Sequence, residues 1–132
     1  MPVDGQLVTV RRVIDGDTID TSIGRVRVVG IDTPEKGDCG YQGATSALRA
    51  AIAASGDQVV LVKAGQGDDE DRYGRLLRYV DSPSGTDLGR SQITAGWARA
   101  RYDSRDGYGA HPRERDYIAA DAASPQLQCP QP

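Results

Sequence analysis

Leu7-Val8-Thr9-Val10-Arg11-Arg12-Val13-Ile14, then Asp15-Gly16-Asp17, then Thr18-Ile19-Asp20-Thr21-Ser22-Ile23 reads as a strand, a tight turn and a returning strand. Val8 and Val10 alternate with Thr9 and Arg11, the period-two pattern of a half-buried strand. Asp15-Gly16-Asp17 is turn chemistry. Gly24 allows the next reversal, and Arg25 and Arg27 alternate with Val26 and Val28 in a third strand predicted over Arg25–Asp32. Three strands joined by short turns form a meander, which Pro34 ends.

Beyond the meander the period changes. Ala44, Ala47, Leu48, Ala51 and Ile52 recur at helical spacing, predicting a helix from Gln42 or Gly43 to Ala54, with Gly56 as its left-handed cap. Gln58–Lys63 is a fourth strand. A glycine-rich acidic loop, Gly65 to Asp71, leads to a fifth strand over Arg75–Asp81. Short helices are expected over Asp87–Ala95 and Arg113–Ala123, the latter stopped by Ser124-Pro125. Five short strands with inserted and appended helices predict an α+β fold: a small closed five-stranded β-barrel with three helices. With 132 residues, no repeat and no linker, residues 1–132 are expected to form a single domain with a core of about 7–123.

Composition excludes little. No run of apolar residues is long enough to span a membrane, so none is expected as a partner. The net charge of −3 argues mildly against tight nonspecific nucleic-acid binding. Arg nonetheless greatly outnumbers Lys, and planar guanidinium suits bidentate phosphate contact. Cys39 and Cys129 belong to no metal-ligand spacing. They are either two unrelated thiols or one bridge tying the Pro/Gln-rich tail, residues 124–132, back to the loop after Glu35. Closing a loop of roughly 90 residues would contribute about 4–5 kcal/mol at most on chain-entropy grounds. The bridge is the preferred expectation, and with it a secreted or extracytoplasmic location, a cytoplasmic one staying open. A monomer is expected.

The charges sit where charge is costly. Asp17 opens the second strand and Asp32 ends the third, so a meander brings them together. Two neighbouring carboxylates repel unless a cation lies between them. Ca2+ suits all-oxygen donors in irregular geometry, and there is no His or Cys pair for zinc. Arg27 lies five residues before Asp32, Glu35 three after it, and Arg75 follows the Tyr73-Gly74 turn. A cation as Lewis acid, Glu35 as general base on water, and two guanidiniums for phosphoryl oxygens form a set suited to phosphodiester attack.

Ile14-Asp15-Gly16-Asp17-Thr18, Arg27-Val28-Val29-Gly30-Ile31-Asp32-Thr33-Pro34-Glu35 and Asp71-Arg72-Tyr73-Gly74-Arg75 together resemble the signature of the staphylococcal nuclease (thermonuclease-like) family. The resemblance runs from about Val8 to Ala123, with Gly96-Trp97-Ala98-Arg99-Ala100 similar to the segment before the family's last helix. It implies an OB-type barrel and Ca2+-dependent, sugar-nonspecific endonuclease activity on DNA and RNA. Single strands would be preferred and 3′-phosphate ends left. It further implies Asp17, Asp32 and the Thr33 carbonyl as metal ligands, Arg27, Glu35 and Arg75 as catalytic, and Arg72, Tyr73 and Tyr102 as substrate-binding residues. The rival expectation is a noncatalytic OB-type module that binds nucleic acid or a protein; an enzyme acting on another phosphate ester is a third.

This chain departs from the family pattern in places. Ser104 stands where a second tyrosine would help hold the base. Cys39 replaces a basic stretch. The acidic run Asp68-Asp69-Glu70-Asp71 reads as a solvated loop that would weaken substrate binding. His111, the only histidine, reads as a surface residue; Leu88, Ile93 and Trp97 read as core. Tyr41, Tyr79, Tyr108 and Tyr117 receive no role. Arg99, Arg101, Arg105, Arg113 and Arg115, interleaved with Asp103, Asp106, Glu114 and Asp116, read mostly as a solvated face able to flank a groove.

Overall fold

The longest strand, β1 (Gly5–Asp15), shows how this sequence closes a barrel. Its first half pairs antiparallel with β5 (Gln58–Lys63), from Gly5↔Val62 to Thr9↔Gln58. Its second half pairs antiparallel with β2 (Thr18–Thr21), from Val10↔Thr21 to Asp15↔Thr18. The register shifts between Val10 and Arg12 and again between Val13 and Asp15. Such irregularities bend a strand and raise its twist, which lets one strand serve two neighbours around a tight circle. β3 (Gly24–Val28) and β6 (Leu76–Asp81) complete a closed barrel in the order β1-β2-β3-β6-β5, with β3 and β6 parallel. This is the expected five-stranded barrel with three helices. The computed structural model describes residues 5–65 and 69–125. The bridge expected between Cys39 and Cys129 falls on Cys129, outside the described residues, as do the tail and Asp68.

Val8, Val13, Ile19, Val26, Val28, Val59, Leu61 and Val80 fill one buried cluster. Helix α1 (Tyr41–Ala54) adds Leu48 and Ile52 to it; Gly43 leaves room for the Trp97 ring where any side chain would collide. Helix α2 (Leu88–Thr94) is capped by Asp87, whose side chain accepts from the Arg90 amide at 3.0 Å. Helix α3 (Glu114–Ala123) buries Tyr117 and Ala120. Leu88 and Ile93 are core, as expected, and Trp97 is partly buried.

The sequence reading needs correction in the third strand. It does not run to Asp32: β3 stops at Val28, the chain turns at Gly30 (φ +81°), and Ile31–Asp32 forms a separate strand, β4. β4 pairs antiparallel with β7 (Arg99–Ala100), Ile31↔Ala100 and Asp32↔Arg99. Only glycine tolerates that φ at little cost, and a Cβ there would lie 2.8 Å from the His111 ring. Alternation could not show the turn, because Val29 and Ile31 continue an apolar run. His111, expected at the surface, is half-buried. Its Nδ1 lies 2.6 Å from the Tyr79 hydroxyl, in a ring cluster with Tyr79 and Tyr117, both fully buried.

Candidate active site

The turn from β1 to β2 carries Asp15 and Asp17, and it is held from behind. Buried Gln92 of α2 donates through Nε2 to the Gly16 carbonyl at 3.0 Å and to the Ala44 carbonyl at 2.8 Å. Gly16 itself is required by crowding: a Cβ would come within 2.7 Å of the Ala44 Cβ and 3.0 Å of Thr33 Cβ and Cγ2. The sequence pairs a turn glycine with a helical glutamine 76 residues later, a link that only the fold discloses.

Asp17 and the β4 segment meet as expected, but by another route: within the meander Asp17 lies beside Val28, and the turn at Gly30 brings β4 back to it. The Thr33 amide donates to Asp17 Oδ2 at 3.2 Å, and Arg27 Nη2 lies 3.3 Å from the same oxygen. Burial works to raise the Asp17 pKa, but the Arg27 charge, the bond with Asp15 and the Thr33 amide outweigh it and hold the carboxyl below its ordinary value. Asp15 goes the other way. Burial, then its contact with Asp17, pushes it up to about 6. The two neighbouring carboxyls are thus pushed in opposite directions, Asp15 up and Asp17 down.

Arg27 does more than face an anion. Its Nη1 donates to the Val28 carbonyl at 2.6 Å and its Nη2 to the Ile31 carbonyl at 2.9 Å, so it braces the turn that delivers Asp32. Asp32 Oδ2 is paired with Arg101 Nη1 at 3.1 Å. Arg101, read from sequence as part of a solvated face, thus belongs to the site. The signal lay in register: β4–β7 pairing sets Asp32 opposite Arg99, so Arg99 and Arg101, two residues apart, share the face that carries Asp32.

Arg75 arrives from the loop before β6. Asp71 Oδ1 accepts from the amides of Tyr73 and Arg75, both at 2.9 Å, and its Oδ2 pairs with Arg75 Nε at 2.6 Å. Asp71 reads from sequence only as the end of an acidic solvated run, although an Asp opening a turn ahead of Tyr73-Gly74 suits the organiser of such a loop. Nor is the acidic run a solvated loop throughout: Asp69 pairs with Arg78 Nη1 at 2.9 Å. Tyr73 is exposed, with the Arg72 and Arg75 guanidiniums 4.9 and 5.3 Å from its ring centre. Tyr102 takes φ +59° and lies between Arg27 and Arg101, 5.6 and 5.3 Å from its centroid. Tyr108, given no role from sequence, packs edge-on against Tyr102 at 5.8 Å. Ser104 instead caps Glu114 contacts, its amide and hydroxyl each 2.7 Å from that carboxylate.

These groups converge. A cavity of about 170 Å3 is lined by Asp15, Asp17, Arg27, Asp32, Thr33, Pro34, Glu35, Arg75 and Tyr102. Arg72 and Tyr73 stand outside its lining. Its potential donors are all oxygens, and Thr33 Oγ1 is buried with no hydrogen-bond partner, an orphan that a bound ligand could satisfy. That donor chemistry fits a hard cation. As the side chains stand, however, no three carboxylate, His or Cys groups gather closely enough to hold a metal among the described residues. Arg27 and Arg101 occupy the carboxylates instead.

Residues 25–124 match the family described as staphylococcal nuclease homologue. A protein of Escherichia coli O157:H7 named "Uncharacterized endonuclease" is 32% identical over 99 residues, which covers 70% of this chain and 61% of that protein. A protein of the same name from Escherichia coli matches to the same extent. The chain thus spans 61% of the length of these curated relatives. Asp15 and Asp17 precede the family match and join the site through the fold.

Proposed function

Because the chain belongs to the staphylococcal nuclease homologue family, we propose that it is a Ca2+-dependent endonuclease hydrolysing phosphodiester bonds of DNA and RNA. The observation that carries this reading is the convergence of Arg27, Arg75, Glu35, Asp17 and Asp32 on one cavity. A binding module needs neither Glu35 nor paired carboxylates beside two guanidiniums.

In this reading Asp17, Asp32 and Thr33 hold the cation, which supplies Lewis-acid polarisation of the phosphoryl group when bound. Arg27 and Arg75 line the cavity from β3 and from the loop before β6, and they bind the phosphate and stabilise the charge that grows on its oxygens. Glu35 takes the proton from the attacking water. Exposed Tyr73 and Arg72 contact the substrate from outside the cavity lining, at its terminal phosphate, and the Tyr102 ring, edged by Tyr108, offers an apolar face to a base. A face that stacks on any base favours unpaired strands without choosing sequence. The products carry 3′-phosphate ends, and the protein acts as a monomer. A Cys39–Cys129 bridge would place it in an oxidising compartment; an intact-mass shift on reduction tests that bridge.

One observation favours a second reading. Both carboxylates already have arginine partners, Asp17 with Arg27 and Asp32 with Arg101, as a noncatalytic binding module would allow. The decisive assay is single-stranded DNA incubated with the pure, folded protein in Ca2+ or in chelator. Cleavage only with Ca2+ supports the nuclease; binding without cleavage supports the module. Arg75→Ala and Glu35→Ser should each lower cleavage by orders of magnitude with unchanged circular dichroism.

A further inference from the structure

Beside the site cavity lies a second groove of about 430 Å3. The two share Asp32, Glu35 and Tyr102, but Arg27 and Arg75 line only the first, whereas Arg99 and Arg101 line only the second. The β4–β7 register explains the second pair: with Asp32 opposite Arg99, the arginines two residues apart point to the face that carries Asp32. Both side chains are about half exposed, 46% for Arg99 and 54% for Arg101. Arg99 is 3.8 Å from Asp121, and Arg101 holds Asp32 at 3.1 Å. Asp38 is the groove's further acidic lining residue.

We infer that this groove is a second phosphate subsite, in which Arg99 and Arg101 hold the phosphodiester next to the one being cut. The inference rests on the nuclease reading. A polynucleotide with one phosphate at Arg27 and Arg75 must leave the first cavity through an opening, and the groove that shares Asp32, Glu35 and Tyr102 with it continues the path. Guanidiniums meet the strand there in an otherwise acidic protein. Arg101 has a second consequence. It is the counter-ion of Asp32, so a cation that takes Asp32 displaces it, and the released guanidinium stands in the groove beside Arg99. Cation and strand therefore pull the same side chain apart from Asp32, and each favours the other.

The two effects of Arg101 have opposite signs, which sets the test. In a Glu35→Gln background that slows cleavage, fluorescence anisotropy measures binding of labelled octathymidylate and of a thymidine dinucleotide with one phosphodiester, in Ca2+ across a salt series. Calorimetry measures Ca2+ alone. Relative to that background, Arg99→Ala with Arg101→Ala should weaken octamer binding several-fold. The salt slope should fall by about 0.7, the contribution of one single-strand phosphate contact. Dinucleotide binding should stay unchanged, and Ca2+ should bind several-fold more tightly. A folding defect would weaken all three. An unchanged octamer slope, or equal loss for octamer and dinucleotide, overturns the subsite. Unchanged or weaker Ca2+ binding overturns the role of Arg101 as counter-ion. Failure of the unsubstituted protein to cleave single strands with Ca2+ would instead remove the nuclease reading, and the subsite with it.

Discussion

Asp71→Ala should damage the chain twice, in stability and in catalysis, and the two losses can be separated. Asp71 accepts three hydrogen bonds: from the Tyr73 and Arg75 amides and from Arg75 Nε at 2.6 Å. The loop is partly exposed, so water replaces much of what the amides lose, and the ion pair is screened. A net cost of about 1–2 kcal/mol follows. At this chain length that corresponds to a Tm drop of about 4–8 °C. The Arg75 guanidinium also loses its tether. If it acts on the transition state, kcat for single-stranded DNA should fall about 10–100-fold, with KM little changed. Asp71→Asn keeps an acceptor for the amides but not the anion; it should recover most of the Tm loss and only part of kcat. The sign with pH is fixed. Burial opposes ionisation of Asp71, yet the Arg75 and Tyr73 bonds hold its pKa below the ordinary 3.8. The stability it contributes is therefore present above that value and lost as pH falls through the lower folded-state pKa, so the gap between wild type and Asp71→Ala narrows there. Differential scanning fluorimetry and steady-state cleavage measure both losses. A variant with the expected Tm loss and unchanged kcat would refute the claim that Asp71 positions Arg75 for chemistry.

Three further outcomes are expected. Gly16→Ala should cost about 1–3 kcal/mol by pressing a methyl onto Ala44 and Thr33, read by urea unfolding, with Ca2+ binding weakened alongside. Tyr79 Oη accepts from the Arg113 amide at 3.1 Å and shares a hydrogen bond of 2.6 Å with His111 Nδ1. Burial lowers the His111 pKa from 6.5, against the opposing pull of Glu114 and Asp103. The unfolded chain thus binds that proton first, and stability should fall as pH drops below about 6.5, a slope absent in His111→Gln. Tyr108→Ala should raise KM for single-stranded DNA several-fold with kcat unchanged, because Tyr102 loses the ring that edges it; an unchanged KM would remove Tyr108 from the substrate path.

The barrel was legible because its strands alternate and its turns carry glycine; the nearness of Asp17 to the residues after Ile31 was expected from a third strand running to Asp32, whereas the Gly30 turn is what brings them there. What sequence could not show is long-range register. The break at Gly30 hides in an apolar run, and only the pairing of two-residue strands brings Arg101 to Asp32. Gln92 reaching Gly16, and His111 packing beneath Gly30, join segments whose local patterns are those of an ordinary helix and an ordinary loop. Asp71 was visible as turn chemistry, but its second oxygen on Arg75 was not.

The two ion pairs in the cavity are unequal, and the inequality decides how a cation could enter. Arg27 and Asp17 are largely buried, at 13% and 10% side-chain exposure, whereas Arg101 and Asp32 are at 54% and 30%. Withdrawing Arg27 would also strand the Val28 and Ile31 carbonyls, which it braces. Uncompensated groups of that kind are costly. Withdrawing Arg101 exposes a guanidinium already half in water, at little cost. A cation is therefore expected to leave Arg27 in place beside Asp17 and to win Asp32 from Arg101. One wall of the site stays fixed while the other exchanges its counter-ion, so Arg101→Ala should change Ca2+ affinity more than stability, and Arg27→Ala should do the reverse.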